Sequence, residues 1–595
     1  MTIKQMTGEN IYHAFLSGAN EVIKQKKELN RINVFPVPDG DTGSNLAYTM
    51  YTIVQQSKVQ NSVKKTMESI AEAALNGARG NSGIIFAQYV NGLYMEMDDS
   101  EDITIEGFTL SANKAVDYAY KSISNPVEGT MITVIKDWAN YLNQYKDKAA
   151  DFAELMSGSL DAALESLRTT PEKLKVLRDA HVVDSGAKGF VHFVEGFLNF
   201  VRTREVIEFD KFEEDLSIEV EDVHLMEDLD LSNRYCTEAL IQGDGLDTEE
   251  IRALLTPLGD SLIIAGNDKR VRIHMHTGEP DQMFKILRHK GKILQQKADD
   301  MQRQFDAIHN KKYDIALITD SIADLPKNLM DEYQIHMMPL NLLIEDSNYL
   351  DKTTVSATYF YQLMDEIEQY PSSAQPGIKD AENFLKFVKS HYEKIIVITV
   401  ADKMSGTYNT FKRAIENLSL DSSKVALIDS KRNSGAEGLI VMKAAEMIHE
   451  GLGFEEIVAK VNDLTLKSEI YVSVTDLKYM VRSGRIGRVA GYAINALNFK
   501  PVVSIDSEGK GSIIGKSFSV ESNTKKIYSL VDEIQKNDKI ERYAIVHANA
   551  LDRANRFKEH FIKTIGKEPE YIMEISSIVA MSAGLGTVAI ALLRE

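Results

Sequence analysis

Cysteine is almost absent. Cys236 stands alone in 595 residues, so no disulfide can form within the chain. That scarcity fits a reducing compartment. Basic charge is also short: 68 Lys and Arg face 88 Asp and Glu, for a formal charge of −20. A surface of that sign argues against broad nucleic-acid or anionic-membrane binding. No uninterrupted apolar run reaches membrane-spanning length, and the opening M-T-I-K-Q-M-T-G-E-N lacks the apolar core of a signal peptide. The expectation is a cytoplasmic protein of three or four domains.

Against these absences one stretch stands out, Asn33 to Leu46, N-V-F-P-V-P-D-G-D-T-G-S-N-L. Asp39 and Asp41 flank Gly40. Pro36 and Pro38 hold the approach extended, and Gly40 and Gly43 permit backbone forms closed to other residues. Leu46, Met50, Ile53 and Val54 then share one helical face. Two carboxylates and several free amides thus reach a helix start. Hard cations such as Mg²⁺ take oxygen ligands and are shared with phosphates, and helix-start amides suit phosphate oxygens. The other reading of the same residues is an acidic, glycine-rich turn with Asp41 or Ser44 as N-cap.

Residues 1–203 read as mostly helical. Thr7 is placed to cap a first helix running toward Arg31, and Ser62 to Asn76 is another. Three more breaks each feed a helix: G-A-R-G-N-S-G (Gly77 to Gly83), N-P-V-E-G-T-M (Asn125 to Met131) and V-V-D-S-G-A-K-G-F (Val182 to Phe190). Four such starts gathered at one end of a helical barrel or bundle would surround a polyanion.

These motifs, in this order, resemble the ATP-binding domain of dihydroxyacetone kinases, and more closely the kinase subunit of bacterial fatty acid kinase. The resemblance implies an all-α helical barrel with the nucleotide at one mouth. Asp39 and Asp41 would hold two Mg²⁺ ions, with Asn33 nearby. Thr42, Ser44 and Asn45 would contact phosphates, and Asn81, Ser82, Thr130, Met131, Asp184 and Gly186 would line the ATP pocket. Dihydroxyacetone kinases usually carry histidine where this chain has Thr42, which favours the second relative. Those kinases also suggest a homodimer.

Residues 204–232 are acidic and read as a solvated linker. From 233 to 301 a small α/β domain follows, with strands at N-R-Y-C-T-E-A-L-I, S-L-I-I-A and R-V-R-I-H-M-H-T and a helix from Thr248 to Leu255. His274 and His276 share a strand face. With Cys236 on a neighbouring strand the set would suit tetrahedral Zn²⁺. Spacing alone leaves open an isolated thiol and two surface histidines. The fatty acid kinase subunit has a similar domain, and the resemblance implies that Cys236, His274 and His276 are its metal ligands.

After a helical connector (Met301 to Lys312), residues 313–595 alternate strands and helices, with a second lobe from about Ser468. Strands are expected at D-I-A-L-I-T-D, at I-H-M-M-P-L-N-L-L-I (Ile335 to Ile344), at Lys394 to Val400 and at Val425 to Ser430. Strand ends followed by small polar residues are where such sheets bind ligands. T-D-S-I-A-D-L-P, M-S-G-T-Y and R-S-G-R-I-G resemble the DegV family of fatty-acid-binding proteins, which carry substrate for fatty acid kinase. The resemblance implies that Ser373 and Ser405, with Thr407 beside them, hold a fatty acid carboxylate, and that Arg485 offsets charge as the phosphoryl group arrives. Two residues depart from the family. Ala374 replaces a usual hydroxyl, and the family's histidine falls on Ser582, which hydrogen-bonds but carries no charge.

The expected function is ATP-dependent phosphorylation of a fatty acid carboxylate to an acyl phosphate. The DegV-like region would present the lipid, or dock a separate DegV-family carrier. A dihydroxyacetone-type kinase and a non-enzymatic lipid-binding or regulatory protein are the alternatives.

Overall fold

Thr7 opens the first helix, its hydroxyl accepting from the Asn10 N–H at 3.1 Å. The helix does not run on to Arg31. At Gln25 the backbone leaves helical values (φ −90°, ψ 7°), dividing the segment into Gly8–Lys24 and Lys26–Arg31. The computed structural model describes residues 3–35, 40–207, 232–483 and 499–595. Asp39, Arg485 and most of the acidic segment lie outside the described residues. The chain divides into two compact units, Met1–Glu279 with Ile286–Asp299, and Pro280–Lys285 with Asp300–Glu595.

In the first unit the helices that start at the glycine-bearing breaks are Thr42–Gln56, Gly80–Glu96, Met131–Tyr145 and Ser185–Thr203. They share one core with Gly8–Lys24 and Val63–Gly77. Aromatic rings fill its centre, meeting edge to face: Phe86 lies 4.9 Å from Phe193, and Trp138 lies 5.5 Å from Phe190. A void of only about 20 Å³ remains among them.

Beside the helices lies a sheet with the strand order Gly259–Gly266, Arg270–Thr277, Tyr235–Gln242, Lys292–Asp300. Its last strand is not among those expected from the sequence, because K-I-L-Q-Q-K-A-D-D is mostly polar. Ile263 and Ala265 of this sheet join the helical core. The middle region is therefore packed on the helices rather than tethered to them.

The second unit carries a parallel four-stranded sheet, in the order Val425–Asp429, Lys394–Thr399, Ile315–Asp320, His336–Met338. It also has a six-stranded sheet in which Val588–Arg594 runs antiparallel between Ser468–Ser473 and Ile540–His547. The single strand expected over 335–344 is two, His336–Met338 and Asn341–Ile344, parted at Pro339, which has no N–H for a ladder. Asn341–Ile344 pairs instead in a three-stranded sheet with Ser347–Leu350 and Ser372–Ala374. No described helix is long and apolar enough to cross a membrane.

Candidate nucleotide, metal and lipid sites

At the acidic turn Gly40 takes φ +65°, a value that favours glycine, and Asp41 precedes the helix Thr42–Gln56 without capping it through its side chain. Thr42 Oγ1 donates to Asn33 Oδ1. Ser44 does not act as a cap either. Asn30 clasps it, accepting from the Ser44 N–H at 2.9 Å and donating to Ser44 Oγ at 3.0 Å. Asn45 is buried against Gly80, where a methyl group in place of the glycine hydrogen would lie 2.4 Å from Asn45 Nδ2.

The other three helix starts bring further expected residues together. Gly186 is held close: a methyl group there would lie 2.5 Å from Ser82 Oγ and 3.4 Å from both Asp184 Oδ1 and Met131 Cε. Asp184 caps its own helix by accepting from the Ala187 N–H at 2.7 Å, and it accepts from the Met131 N–H as well. Burial outweighs both bonds and lifts its carboxyl to about 7. Thr130 precedes the helix Met131–Tyr145 and donates to Val127 O at 2.8 Å. Asn81 Oδ1 is buried and has no protein partner. An orphaned acceptor of this kind is a costly feature that a bound donor would relieve.

The small sheet adds a second cluster. Antiparallel pairing sets Cys236 directly opposite His276, and Glu238 opposite His274. The ligating atoms of Cys236, His274 and His276 all lie within 4.8 Å of one another. Burial holds His276 down to about 4, helped by His274 and opposed by Asp260, so its ring is neutral at pH 7. Burial pushes the Cys236 thiol well up; Lys297 opposes this, while Glu238, Asp299 and Asp41 add to it. The acidic turn and the Cys–His–His group are thus near enough to feel each other's charge. One thiol and two imidazoles suit Zn²⁺, and binding would require the thiolate.

Sequence reading assigned no role to the groups around this cluster. Glu238 and Arg272 are 2 % and 4 % exposed and paired at 2.6 Å. Lys297 sits on the strand that the sequence hid. Burial works against its charge, but Asp299, Cys236, Glu238 and Asp41 outweigh burial and keep it protonated. Alternating charged residues on a strand normally mark a solvent face, so nothing in the spacing flags these three.

In the second unit a cavity of about 420 Å³ is walled by the six-stranded sheet and by residues just beyond strand ends of the parallel sheet, Ile322, Leu340 and Val400. Ser373, Ser405 and Ser582 line it, with Ala374 beside them; Thr407 stands behind, 2.8 Å from Ser405 Oγ. Gln375, Asn433, Ser434, Ser504 and Thr587 add further polar groups, and the rest of the lining is apolar. Among the described residues no charged side chain lines it. Beneath Ser434 lies a buried acidic group. Asp324 accepts from Ser434 Oγ at 2.5 Å and pairs with Lys352 at 2.9 Å, and Asp351 accepts from Ser321 Oγ at 2.9 Å.

Comparison with known proteins matches three family models to this chain. A DAK2 domain covers residues 36–199, and a middle domain like that of a fatty acid kinase subunit covers 232–308. The model described as an uncharacterised protein of the DegV family covers 277–595, more than half of the chain. An uncharacterised protein of Staphylococcus epidermidis is 32 % identical over 324 residues, 52 % of this chain and 58 % of that protein. Protein YloV of Bacillus subtilis is 31 % identical over 319 residues, with the same shares covered. The chain therefore spans little more than half the length of the curated relatives it matches. Two solved structures resemble it. One, from Thermus thermophilus, is described as fatty acid binding of a DegV family protein (22 % identity, TM-score 0.44, 47 % of this chain and 99 % of that one). The other is DegV of Bacillus subtilis, described as a fatty acid binding protein (24 % identity, TM-score 0.44, 48 % and 100 %).

Proposed function

This chain belongs to the DegV family, and on that premise we propose that it is a cytoplasmic, ATP-dependent fatty acid kinase. In outline, residues 1–203 hold ATP, 204–232 link, 233–301 hold a metal and 313–595 hold the lipid. The observation that carries the reading is the presence in one chain of a DAK2 region, a fatty acid kinase-like middle region and a DegV region. The polar-ended cavity of the DegV unit supports it.

Asp39 and Asp41 would hold two Mg²⁺ ions, which neutralise phosphate charge. Thr42, Ser44 and Asn45 would position phosphates, and Asn81, Ser82, Thr130, Met131, Asp184 and Gly186 would enclose the rest of the nucleotide. Cys236, His274 and His276 would hold Zn²⁺. Ser373, Ser405, Thr407 and Ser582 would orient the lipid carboxylate, with Arg485 as the cation. In the reaction a carboxylate oxygen bonds to the γ-phosphorus, the bond to the β,γ-bridging oxygen breaks, and acyl phosphate and ADP result. Such transfer rests on positioning and charge neutralisation. Fusion in one chain raises the effective concentration of lipid and kinase.

A second reading rests on Ser582 and Ala374. A cavity without charge among its described lining residues also suits a lipid-binding or regulatory protein that docks a separate DegV-family carrier. Purified chain is incubated with ATP, Mg²⁺ and oleate, with Asp41→Ala as control. Acyl phosphate that disappears in the variant supports a self-contained kinase. Product only after a separate fatty-acid-loaded DegV protein is added supports docking. No product in either case overturns the kinase reading.

A further inference from the structure

One buried carboxylate touches both the nucleotide loop and the metal cluster. Glu238 Oε1 accepts from the Gly80 N–H at 2.8 Å and faces His274 Nδ1 at 3.4 Å, while Oε2 accepts from Arg272 Nη2 at 2.6 Å. Arg272 is held in turn by Gln295, at 2.8 Å from its other terminal nitrogen. Gly80 lies in the glycine break that presents Asn81 and Ser82, and its φ of +58° fixes the turn there.

Each contact has a chemical consequence. An ionised carboxylate only accepts, so the hydrogen of the His274 ring belongs on Nδ1. Nε2 is then the lone-pair nitrogen, and Nε2 is buried without a protein partner. Arg272, 2.6 Å from Oε2, supplies the countercharge to Glu238. Ligating histidines usually donate their second N–H to a carboxylate, and losing that partner costs about 10–100-fold in metal affinity. Here the same oxygen also anchors an amide of the nucleotide loop.

We propose that Glu238 is a positioning residue that couples the two sites, so that Zn²⁺ at Cys236, His274 and His276 tightens nucleotide binding at the Gly77–Gly83 loop. With Nε2 engaged as a ligand the His274 ring would be fixed, its Nδ1–H would hold the Glu238 carboxylate, and the carboxylate would hold Gly80. A nucleotide then meets a loop whose ordering has already been done. Linkage requires the reverse effect to be equal: nucleotide tightens zinc by the same factor. This inference rests on the reading of the cluster as a zinc site and of the loop as a nucleotide site.

The test measures Kd for Mg·ADP by calorimetry on the full chain, zinc-loaded and zinc-stripped, with Mg²⁺ in excess. Zinc affinity is measured with and without Mg·ADP. The wild type is expected to show coupling of at least about five-fold in both directions. Glu238→Gln is expected to bind zinc about 10–100-fold more weakly and to show a coupling factor near one. Because that change breaks a buried ion pair, the wild-type measurement stands as an independent test should the variant fail to fold. Zinc that binds, is lost in Cys236→Ser, and leaves ADP affinity unchanged overturns the inference and spares the zinc reading. Coupling that persists in Glu238→Gln overturns the role of Glu238. A wild type that binds no zinc at Cys236 overturns the metal reading and the inference together.

Discussion

The carboxylate of Asp184 accepts a hydrogen bond from the backbone N–H of Met131, at the start of a different helix. With the 2.7 Å bond from Ala187 it closes two helix N-termini with one side chain. Between the ordinary carboxyl value of 3.8 and about 7, the folded chain retains a proton here that the unfolded chain has lost. This group's contribution to stability is therefore complete below pH 4 and declines as pH rises through that window, on the order of a few kcal/mol in all. Asp184→Asn should remove that slope. Denaturant unfolding at pH 5 and pH 8 should show a smaller loss in the variant than in the wild type.

Lys352 is the cation against Asp324, 2.9 Å away, within a buried set that includes Asp320, Asp351 and Glu437. Glu437 has both carboxyl oxygens buried without partners, and burial, reinforced by Asp320, pushes it well up. Lys352→Met strands a carboxylate there. It should destabilise the second unit by about 3–5 kcal/mol, read from chemical denaturation.

Val472 lines the cavity. Val472→Trp would fill space that an acyl chain needs. Oleate affinity by calorimetry should fall at least about ten-fold, with far-ultraviolet circular dichroism unchanged. Unchanged affinity would place the lipid elsewhere.

Ser582→His restores a titratable head to the same cavity. Carboxylate binding should strengthen by about 5–10-fold below pH 6, where imidazolium forms, and return to the wild-type value above pH 8. A lipid held without its carboxylate near residue 582 would show no such pH dependence.

The sequence carried local signals well. The cap at Thr7 and the glycine breaks before Gly80, Met131 and Ser185 mark helix starts, because caps and breaks are decided within a few residues. His274 and His276 announce a shared face by their spacing alone. Their pairing with Cys236 and Glu238 depends on register between strands over thirty residues apart, which spacing does not encode. Nothing in the spacing marks Glu238 and Arg272 as a buried pair, because their burial comes from contacts with each other, with the Gly80 amide and with Gln295. Lys297 was lost with its polar strand. In the second unit, Ser373, Ser405 and Ser582 lie far apart along the chain, and only the folded sheets set them around one cavity.

Among the described residues the aromatic core of the helices holds a void of about 20 Å³, whereas the second unit carries a cavity of about 420 Å³. Unfolding volume scales with the voids a fold eliminates. Hydrostatic pressure should therefore melt a delipidated second unit well before the helical one. Saturating that cavity with an acyl chain should bring the two responses together.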